Sequence, residues 1–250
     1  MIATRPKLFI GPPLHYCPGC SHGIVHRLLV EVIEEMDIRE QVVGVAPVGC
    51  AARIHMYLDI DFVKASHGRA PAVATGVRRQ LPNHHVFTYQ GDGDLLAIGL
   101  SEGLNAAIRG ENILVVFINN ATFGMTGGQM APTTLAGQWS TTTPEGRDVV
   151  KTGYPIRYPE MIASLPGVTL ATRCAVDSPA NIRKTKKTLK YAFGLQKTNP
   201  GFALVEILSV CPTNLHLSPA ESLDWLRKEM VSYYPLGDIK KPTEGTEDAE

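Results

Sequence analysis

The chain has 250 residues, and 24 Lys+Arg balance 24 Asp+Glu, so the formal net charge is +0. Only 19% of residues are charged, and so even a balance excludes a general nucleic-acid binder, because phosphate affinity needs an excess of cation. With 44% hydrophobic residues and 23 glycines, the composition excludes a mostly disordered chain and points to a glycine-rich α/β domain. No run approaches the roughly 18 apolar residues of a membrane span, and Met1 to Pro13 lacks the apolar block of a signal peptide. The expectation is therefore a cytoplasmic protein without membrane contact. Five cysteines are an odd number, and two stand as Cys17-Pro18-Gly19-Cys20. In a reducing compartment that spacing favours metal ligation or redox chemistry over a structural disulfide.

After the cysteine pair, Ile24, Val25, Leu28, Leu29, Val32, Ile33 and Met36 form one face of a helix, a core stripe. Gln41 to Ala46 reads as a strand leading into Pro47-Val48-Gly49-Cys50. A helix from Pro71 to Gln80 and a strand from His85 to Tyr89 follow. That strand enters Gly91-Asp92-Gly93-Asp94, then a small-residue helix from Leu95 to Arg109, then the apolar strand Ile113 to Ile118. Strand, helix, strand in this order implies a right-handed βαβ crossover, with ligands at the carboxyl ends of the strands. Those ends are Gly91-Asp92-Gly93 and Asn119-Asn120.

From Asn119 to Tyr158 periodicity gives way to Gly, Thr and Pro, a stretch too long for an idle connector and read as a functional loop. A basic helix (Pro179 to Leu195), a strand (Phe202 to Leu208), Val210-Cys211-Pro212 and a helix from Pro219 to Met230 complete a domain over residues 1–237. Residues 238–250, with Glu244, Glu247, Asp248 and Glu250, read as a disordered acidic tail.

A carboxylate pinned between two glycines at a strand end can reach a divalent ion while the bare backbone admits a diphosphate. One helix and one strand later, Asn120 offers a carbonyl oxygen at the neighbouring strand end. Magnesium prefers such hard oxygens, so Asp92, Asn120 and one backbone carbonyl make a Mg-diphosphate cradle. Gly91-Asp92-Gly93 with Asn119-Asn120 resembles the thiamine diphosphate signature. The resemblance makes Asp92 and Asn120 the side-chain metal ligands and the backbone oxygen of Thr122 the third.

Cys17, Cys20, Cys50 and Cys211 each lie next to Gly or Pro or in a turn-rich motif, and tight turns let thiolates converge on an iron-sulfur cluster. Spacing alone fits a closed tetrahedral zinc site equally well. Cys174 is left over.

His15 to Gly23 (His-Tyr-Cys-Pro-Gly-Cys-Ser-His-Gly), Val48-Gly49-Cys50, His67 to Gly76 (His-Gly-Arg-Ala-Pro-Ala-Val-Ala-Thr-Gly), Gly91-Asp92-Gly93-Asp94 and Gly124-Met125-Thr126-Gly127-Gly128-Gln129 stand in one order. Together they resemble the β subunit of the 2-oxoacid:ferredoxin oxidoreductases, closest to the 2-oxoisovalerate type, up to about Gly237. The resemblance implies a single α/β thiamine diphosphate-binding domain of the diphosphate type, a mostly parallel sheet with helices on both faces. It turns the thiols toward a 4Fe-4S cluster on Cys17, Cys20, Cys50 and Cys211. It further implies coenzyme A-dependent oxidative decarboxylation of a 2-oxoacid, with electrons leaving through the cluster to ferredoxin. The family's pyrimidine-binding half is not visible in this chain, so an α subunit is expected, with γ and ferredoxin-like δ subunits in a four-subunit form.

Two positions depart from the family. Ser21 stands where glycine is usual, a strained choice if the backbone needs a positive φ. Arg53 follows Cys50 by three residues. Relatives acting on 2-oxoglutarate carry a basic residue near there for the distal carboxylate, whereas branched-chain types tend to be apolar, which leaves both substrates open. His67 and Arg69, flanking Gly68 before a helix, are candidates to reach cofactor or substrate, and Gly91, Gly93, Asp94, Thr126 and Gly127 to bind the diphosphate or coenzyme A. His22 reads as a cap or packing residue, and His84-His85 as structural. Arg183, Lys184, Lys186, Lys187 and Lys190 form a basic helix face, ordinarily solvated and alternatively a ferredoxin dock.

Overall fold

The computed structural model describes residues 4–242. Seven strands follow in chain order: β1 (Val42–Ala46), β2 (Asp61–Lys64), β3 (His85–Gly91), β4 (Leu114–Asn119), β5 (Val168–Ala175), β6 (Phe202–Leu208) and β7 (Gly237–Lys240). They form one sheet in the order β2-β1-β3-β4-β6-β5-β7, parallel throughout except for β7, which runs antiparallel to β5. The helices are α1 (His22–Met36), α2 (Ala70–Gln80), α3 (Leu100–Ile108), α4 (Val149–Thr152), α5 (Tyr158–Ala163), α6 (Pro179–Thr198), α7 (Pro212–Leu215), α8 (Pro219–Trp225) and α9 (Val231–Tyr233).

The central strands are apolar on both faces because both are covered, as a parallel sheet requires. Leu114, Val116 and Ile118 of β4 pack with Val25, Leu29 and Ile33 of α1 and Phe193 of α6, whereas Val115 and Phe117 pack with Ala74 of α2, Ala107 of α3 and Tyr158 of α5. Alternate residues of one strand thus feed two cores, the period of two expected of a strand. Each fully buried aliphatic side chain contributes about 1.5–3 kcal/mol. Among the described residues no helix is long and apolar enough to cross a membrane.

β1 continues outward to β2, while β3 lies on the other side of β1 and continues to β4. The loops after β1 and β3 therefore leave the sheet in opposite directions. A crevice opens between their carboxyl ends, where open α/β sheets bind ligands.

Three expectations change. The helix from Leu95 to Arg109 is interrupted: Gly93–Ile98 is a π-helical turn closed by Gly99 N–H to the Asp94 carbonyl (3.1 Å), and α3 starts afterwards. At Gly99 a Cβ would lie 2.5 Å from the Asp94 oxygen and 2.6 Å from that of Gly68, so the break lets two backbones touch. β2, a short and mostly exposed edge strand, carries no apolar pattern that could have announced it. The tail does not begin at residue 238, because Gly237–Lys240 pairs with β5, with Thr172 Oγ1 donating to Asp238 Oδ1 (2.8 Å). Residues 243–250, including Glu244, Glu247, Asp248 and Glu250, lie outside the described residues.

Candidate cofactor site

Asp92 opens the π-turn at the end of β3, 3% exposed. Its Oδ1 accepts from Gly93 N–H (2.8 Å), and its Oδ2 from Thr122 N–H (3.1 Å) and Thr133 Oγ1 (2.7 Å). Burial pushes its pKa up to about 6 despite these three donors. A buried carboxylate held by neutral donors alone, with no ion-paired cation among the described residues, is what a divalent cation would neutralise. Asn120 follows β4, its Oδ1 accepting from Thr122 N–H (3.2 Å). Between them Ala121 is in the left-handed region at φ 58, unusual for a residue with a Cβ, and its N–H is tied to Asn119 Oδ1 (3.1 Å). That turn sets the directions of the Asn120 side chain and the Thr122 backbone.

A cavity of about 140 Å³ opens over these residues at the switch point, lined by Val48, Gly49, Cys50, Gly91, Asp92 and Asn120 among others. A Cβ at Gly91 or Gly49 would meet nothing within 4 Å, leaving room for a ligand beside the bare backbone. Gly93 serves another purpose: a Cβ there would fall 2.1 Å from the Phe123 ring, which packs onto it. The residues present therefore fit a magnesium-bound diphosphate: carboxylate, amide oxygen and accessible main chain at one strand edge.

The thiols converge on the same place. A Cβ on Gly124 would stand 3.4 Å from Cys50 Sγ and 3.6 Å from both Cys211 Sγ and Asn120 Nδ2. Burial pushes Cys20 up to about 12 and Cys50 up to about 11, and in each case the other thiols add to the rise. Cys17 acts on Cys20, Cys50 and Cys211 alike, and the Asp92 charge reaches Cys50 and Cys211. Among the described residues no three His, Cys, Asp or Glu side chains come close enough to hold a single metal ion. Cys174 is elsewhere, buried in β5 beside Thr185 and Thr188 of α6. Ser21 has φ −76, so the serine there is unstrained, and the positive φ of this loop falls on Gly19 (80).

Residues 47–207 match the family described as thiamine pyrophosphate enzyme, C-terminal TPP binding domain. The chain is 45% identical over 233 residues to the ketoisovalerate oxidoreductase subunit VorA of Methanothermobacter marburgensis, covering 93% of this chain and 49% of that protein. It thus spans about half the length of that relative. It is 35% identical to the 2-oxoglutarate synthase subunit KorB of Methanocaldococcus jannaschii (92% of this chain, 83% of that one). It is 30% identical to the 2-oxoacid:ferredoxin oxidoreductase subunit beta of a Sulfolobus species (93% and 73%). The chain belongs to the 2-oxoacid:ferredoxin oxidoreductase β subunits. A solved 2-oxoglutarate:ferredoxin oxidoreductase from Magnetococcus marinus, with 2-oxoglutarate, coenzyme A and succinyl-CoA bound, shares the fold at a TM-score of 0.78 and 24% identity over 98% of this chain and 88% of that one.

Within this β subunit the remaining candidates separate. Asp94, expected to bind cofactor, is fully engaged by the protein: Oδ1 accepts from His67 Nδ1 (2.6 Å), Gly68 N–H (3.0 Å) and Val48 N–H (3.3 Å), and Oδ2 from Gln90 Nε2 (2.6 Å). It therefore draws the loops after β1 and β2 onto the cradle. His67 lines the cavity; Arg69 pairs with Glu102 of α3 and does not line it. Thr126 lines the cavity with its hydroxyl on Gln129 Oε1 (2.5 Å), whereas Gly127 (φ 106) lies at the loop tip outside the lining. Arg53 is exposed on the 3₁₀ segment Cys50–Met56 and is not among the lining residues.

His22, first residue of α1, packs as expected, with Nδ1 on the Tyr89 hydroxyl (2.7 Å). The basic face of α6 is not wholly solvated: Lys186 pairs with Glu31 and Glu35 of α1, and Lys190 with Glu35. Two of its five cations are thereby spent on helix packing. Sequence reasoning missed Thr133, which bonds Asp92, and Arg147, whose guanidinium pins the long loop through the carbonyls of Thr134 (2.5 Å), Pro132 (3.1 Å) and Gly153 (3.0 Å). Neither sits in a patterned segment, so no local signal marks them.

Proposed function

We propose that this β subunit holds thiamine diphosphate through a magnesium ion on Asp92, Asn120 and the backbone oxygen of Thr122, and a 4Fe-4S cluster on Cys17, Cys20, Cys50 and Cys211. The enzyme it serves converts a 2-oxoacid and coenzyme A to acyl-CoA and carbon dioxide and passes the electrons to ferredoxin, in the cytoplasm. The observation that carries this reading is Gly124, flanked at once by the sulfurs of Cys50 and Cys211 and by the amide of Asn120. An electron acceptor and a metal-diphosphate cradle would thereby share one wall. Thiols close enough to act on one another are the set that such a cluster would take as ligands.

Thiamine diphosphate supplies the carbanion chemistry that releases carbon dioxide from a 2-oxoacid. The chain's own part is placement and charge. Asp92 offsets the metal charge, Ala121 aims Asn120 and Thr122, and Phe123 over Gly93 closes the apolar side of the cavity. His67, held by Asp94 through Nδ1, presents its other ring nitrogen as a hydrogen-bonding group at the cavity. Thr126, on the cavity wall, is the residue of its loop that would meet the diphosphate or coenzyme A, with Gly127 next to it.

Because the family binds its cofactor between two domains, an α subunit carrying the pyrimidine half is part of this reading, with γ and ferredoxin-like δ subunits in a four-subunit assembly. The identity with the ketoisovalerate relative and the position of Arg53 outside the cavity favour a branched-chain 2-oxoacid. The test is a panel of 2-oxoacids on the anaerobically purified complex, with iron and acid-labile sulfide counted per chain. Turnover of 2-oxoisovalerate above 2-oxoglutarate with about four of each is expected; one zinc without sulfide sinks the cluster assignment, and turnover of 2-oxoglutarate alone sinks the substrate.

A further inference from the structure

Strands β5 and β6 carry charge where a covered parallel sheet should be apolar. Arg173 and Glu206 stand directly opposite one another in the ladder, their side chains 0% and 1% exposed. Arg173 Nε donates to Glu206 Oε2 (2.6 Å), and its Nη1 and Nη2 grip both oxygens of Glu160 (2.8 and 2.7 Å) in a bidentate pair. Stability does not account for this arrangement. Removing two charges from water costs several kcal/mol each, and apolar residues of similar volume in place of a buried ion pair are often neutral or stabilising.

The two ends of the network lead to the candidate site. On one side, Asn119 Nδ2 donates to Glu206 Oε1 (2.7 Å), which fixes the Asn119 side chain with its Oδ1 on the N–H of Ala121 (3.1 Å). Both Glu206 oxygens thus accept from N–H donors, the pattern of an ionised carboxylate. That bond holds the left-handed turn from which Asn120 and Thr122 extend. On the other side, the Arg173 guanidinium lies over the ring of Tyr234 (5.2 Å) and donates to the Pro235 carbonyl (3.1 Å). The Tyr234 hydroxyl donates to the Thr133 carbonyl (2.8 Å), and Thr133 Oγ1 donates to Asp92 Oδ2 (2.7 Å).

From this geometry we propose that Arg173 is a positioning residue for the metal cradle, setting Asn120 and Thr122 through Glu206 and Asn119, and Asp92 through Tyr234 and Thr133. The inference rests on the thiamine diphosphate reading of Asp92 and Asn120. The two sides of the cradle come from different elements, the ends of β3 and β4, and a magnesium shell tolerates little error in their separation. One buried cation joined to both sides fixes that separation without touching the ligand. Arg173 suits the role because its rigid planar fork makes four directed bonds, two of them a bidentate grip on Glu160, whereas a lysine offers one compact ammonium with three donors.

The test uses the complex as purified, stripped of cofactor and titrated with thiamine diphosphate and Mg2+ by calorimetry, alongside thermal melts and hydrogen exchange at the Ala121 and Thr122 amides. Glu206→Gln places an amide donor against Asn119 or Arg173, and is expected to weaken cofactor binding at least about tenfold and to speed exchange at both amides. Arg173→Lys, which keeps the charge and loses the fork, should also weaken binding, by less than Glu206→Gln. Because a half-broken charge pair can unfold the chain, the double variant Arg173→Met with Glu206→Leu supplies a folded comparison. It should melt near the wild-type temperature and still bind the cofactor weakly. Wild-type affinity and exchange in the double variant, or a lowered melting temperature in Glu206→Gln with unchanged affinity, would overturn the positioning role. If wild type binds cofactor, Asp92→Ala does not, and Glu206→Gln binds as wild type, only the role of Arg173 fails. If wild type itself shows no Mg-dependent binding, the reading of the site fails with it.

Discussion

The two edges of the same sheet treat buried polar groups in opposite ways. At the carboxyl edge every oxygen of Asp92 and Asp94 has a protein donor, yet Asp92 lacks a paired cation and its pKa is pushed up to about 6. At the amino edge, His85 is 1% exposed and its ring nitrogens lack a well-formed hydrogen bond, the Phe193 backbone being a weak neighbour, and neighbouring Asn112 leaves Oδ1 unpartnered. That second edge forms a cleft of about 460 Å³, larger than the cavity over Asp92. Its chemistry nevertheless answers local needs: Arg78 Nη1 serves the carbonyl of His84 (2.6 Å) beyond the end of α2, and Lys197 sits in the last turn of α6, where a cation is favoured. Volume and unpaired atoms alone therefore do not mark the site. A buried charge with its geometry fixed by the protein and its counter-charge left out does.

The largest effect that would break this contrast is Asp92→Ala. It should reduce Mg-dependent thiamine diphosphate retention by about a hundredfold or more, measured as cofactor content after gel filtration, with the amino-edge histidines unmoved in their NMR titration. Retention equal to wild type would show that the carboxyl edge is no metal cradle. Cys50→Ser or Cys211→Ser should strip most iron and sulfide from the anaerobic protein, whereas Cys174→Ser should leave both unchanged. Equal iron in all three would end the assignment of the four thiols.

At the amino edge the test is pH. Burial, with Lys197 and Arg78 nearby, holds His85 down at about 4, below its ordinary 6.5, so the folded chain binds fewer protons than the unfolded one between those values. Its contribution is therefore fully present above pH 6.5 and is lost as pH falls toward 4. The wild type should lose about 2–3 kcal/mol relative to His85→Phe over that range, read from urea melts at several pH values. Parallel curves would mean that the imidazole charges freely in the fold.

Smaller effects sharpen the carboxyl edge. Gly93→Ala must move the Phe123 ring, since its Cβ would lie 2.1 Å away, and should cost about 1–3 kcal/mol in stability. Thr133→Val removes one donor from Asp92 and should weaken cofactor binding only severalfold, for about 1 kcal/mol. A loss as large as that of Asp92→Ala would give Thr133 a direct part in binding.

Asp92 and Asn120 can be proposed from the sequence because each follows a patterned strand, and strand ends in a βαβ unit point at the ligand crevice whatever their partners are; Cys17 and Cys20 precede α1 and are proposed from their spacing. Asp94 is legible as part of the same motif, but its contacts are not. Its neighbours in sequence suggest a ligand, whereas the bonds from His67, Gly68 and Val48 come from loops 26 to 46 residues away. The basic face of α6 was misjudged for the same reason, since Glu31 and Glu35 meet it only after α1 docks.

By itself the sequence determined the alternation of strands and helices, the glycine-flanked carboxylate and the turn-borne cysteines, because hydrophobic period and backbone freedom are local properties. Tertiary structure decided who stands opposite whom. The β5–β6 register that sets Arg173 against Glu206, the return of the long loop that brings Thr133 to Asp92, and the switch point between β1 and β3 all join residues far apart in the chain. Their pairing is fixed by packing both faces of one sheet, and a local pattern carries no record of it.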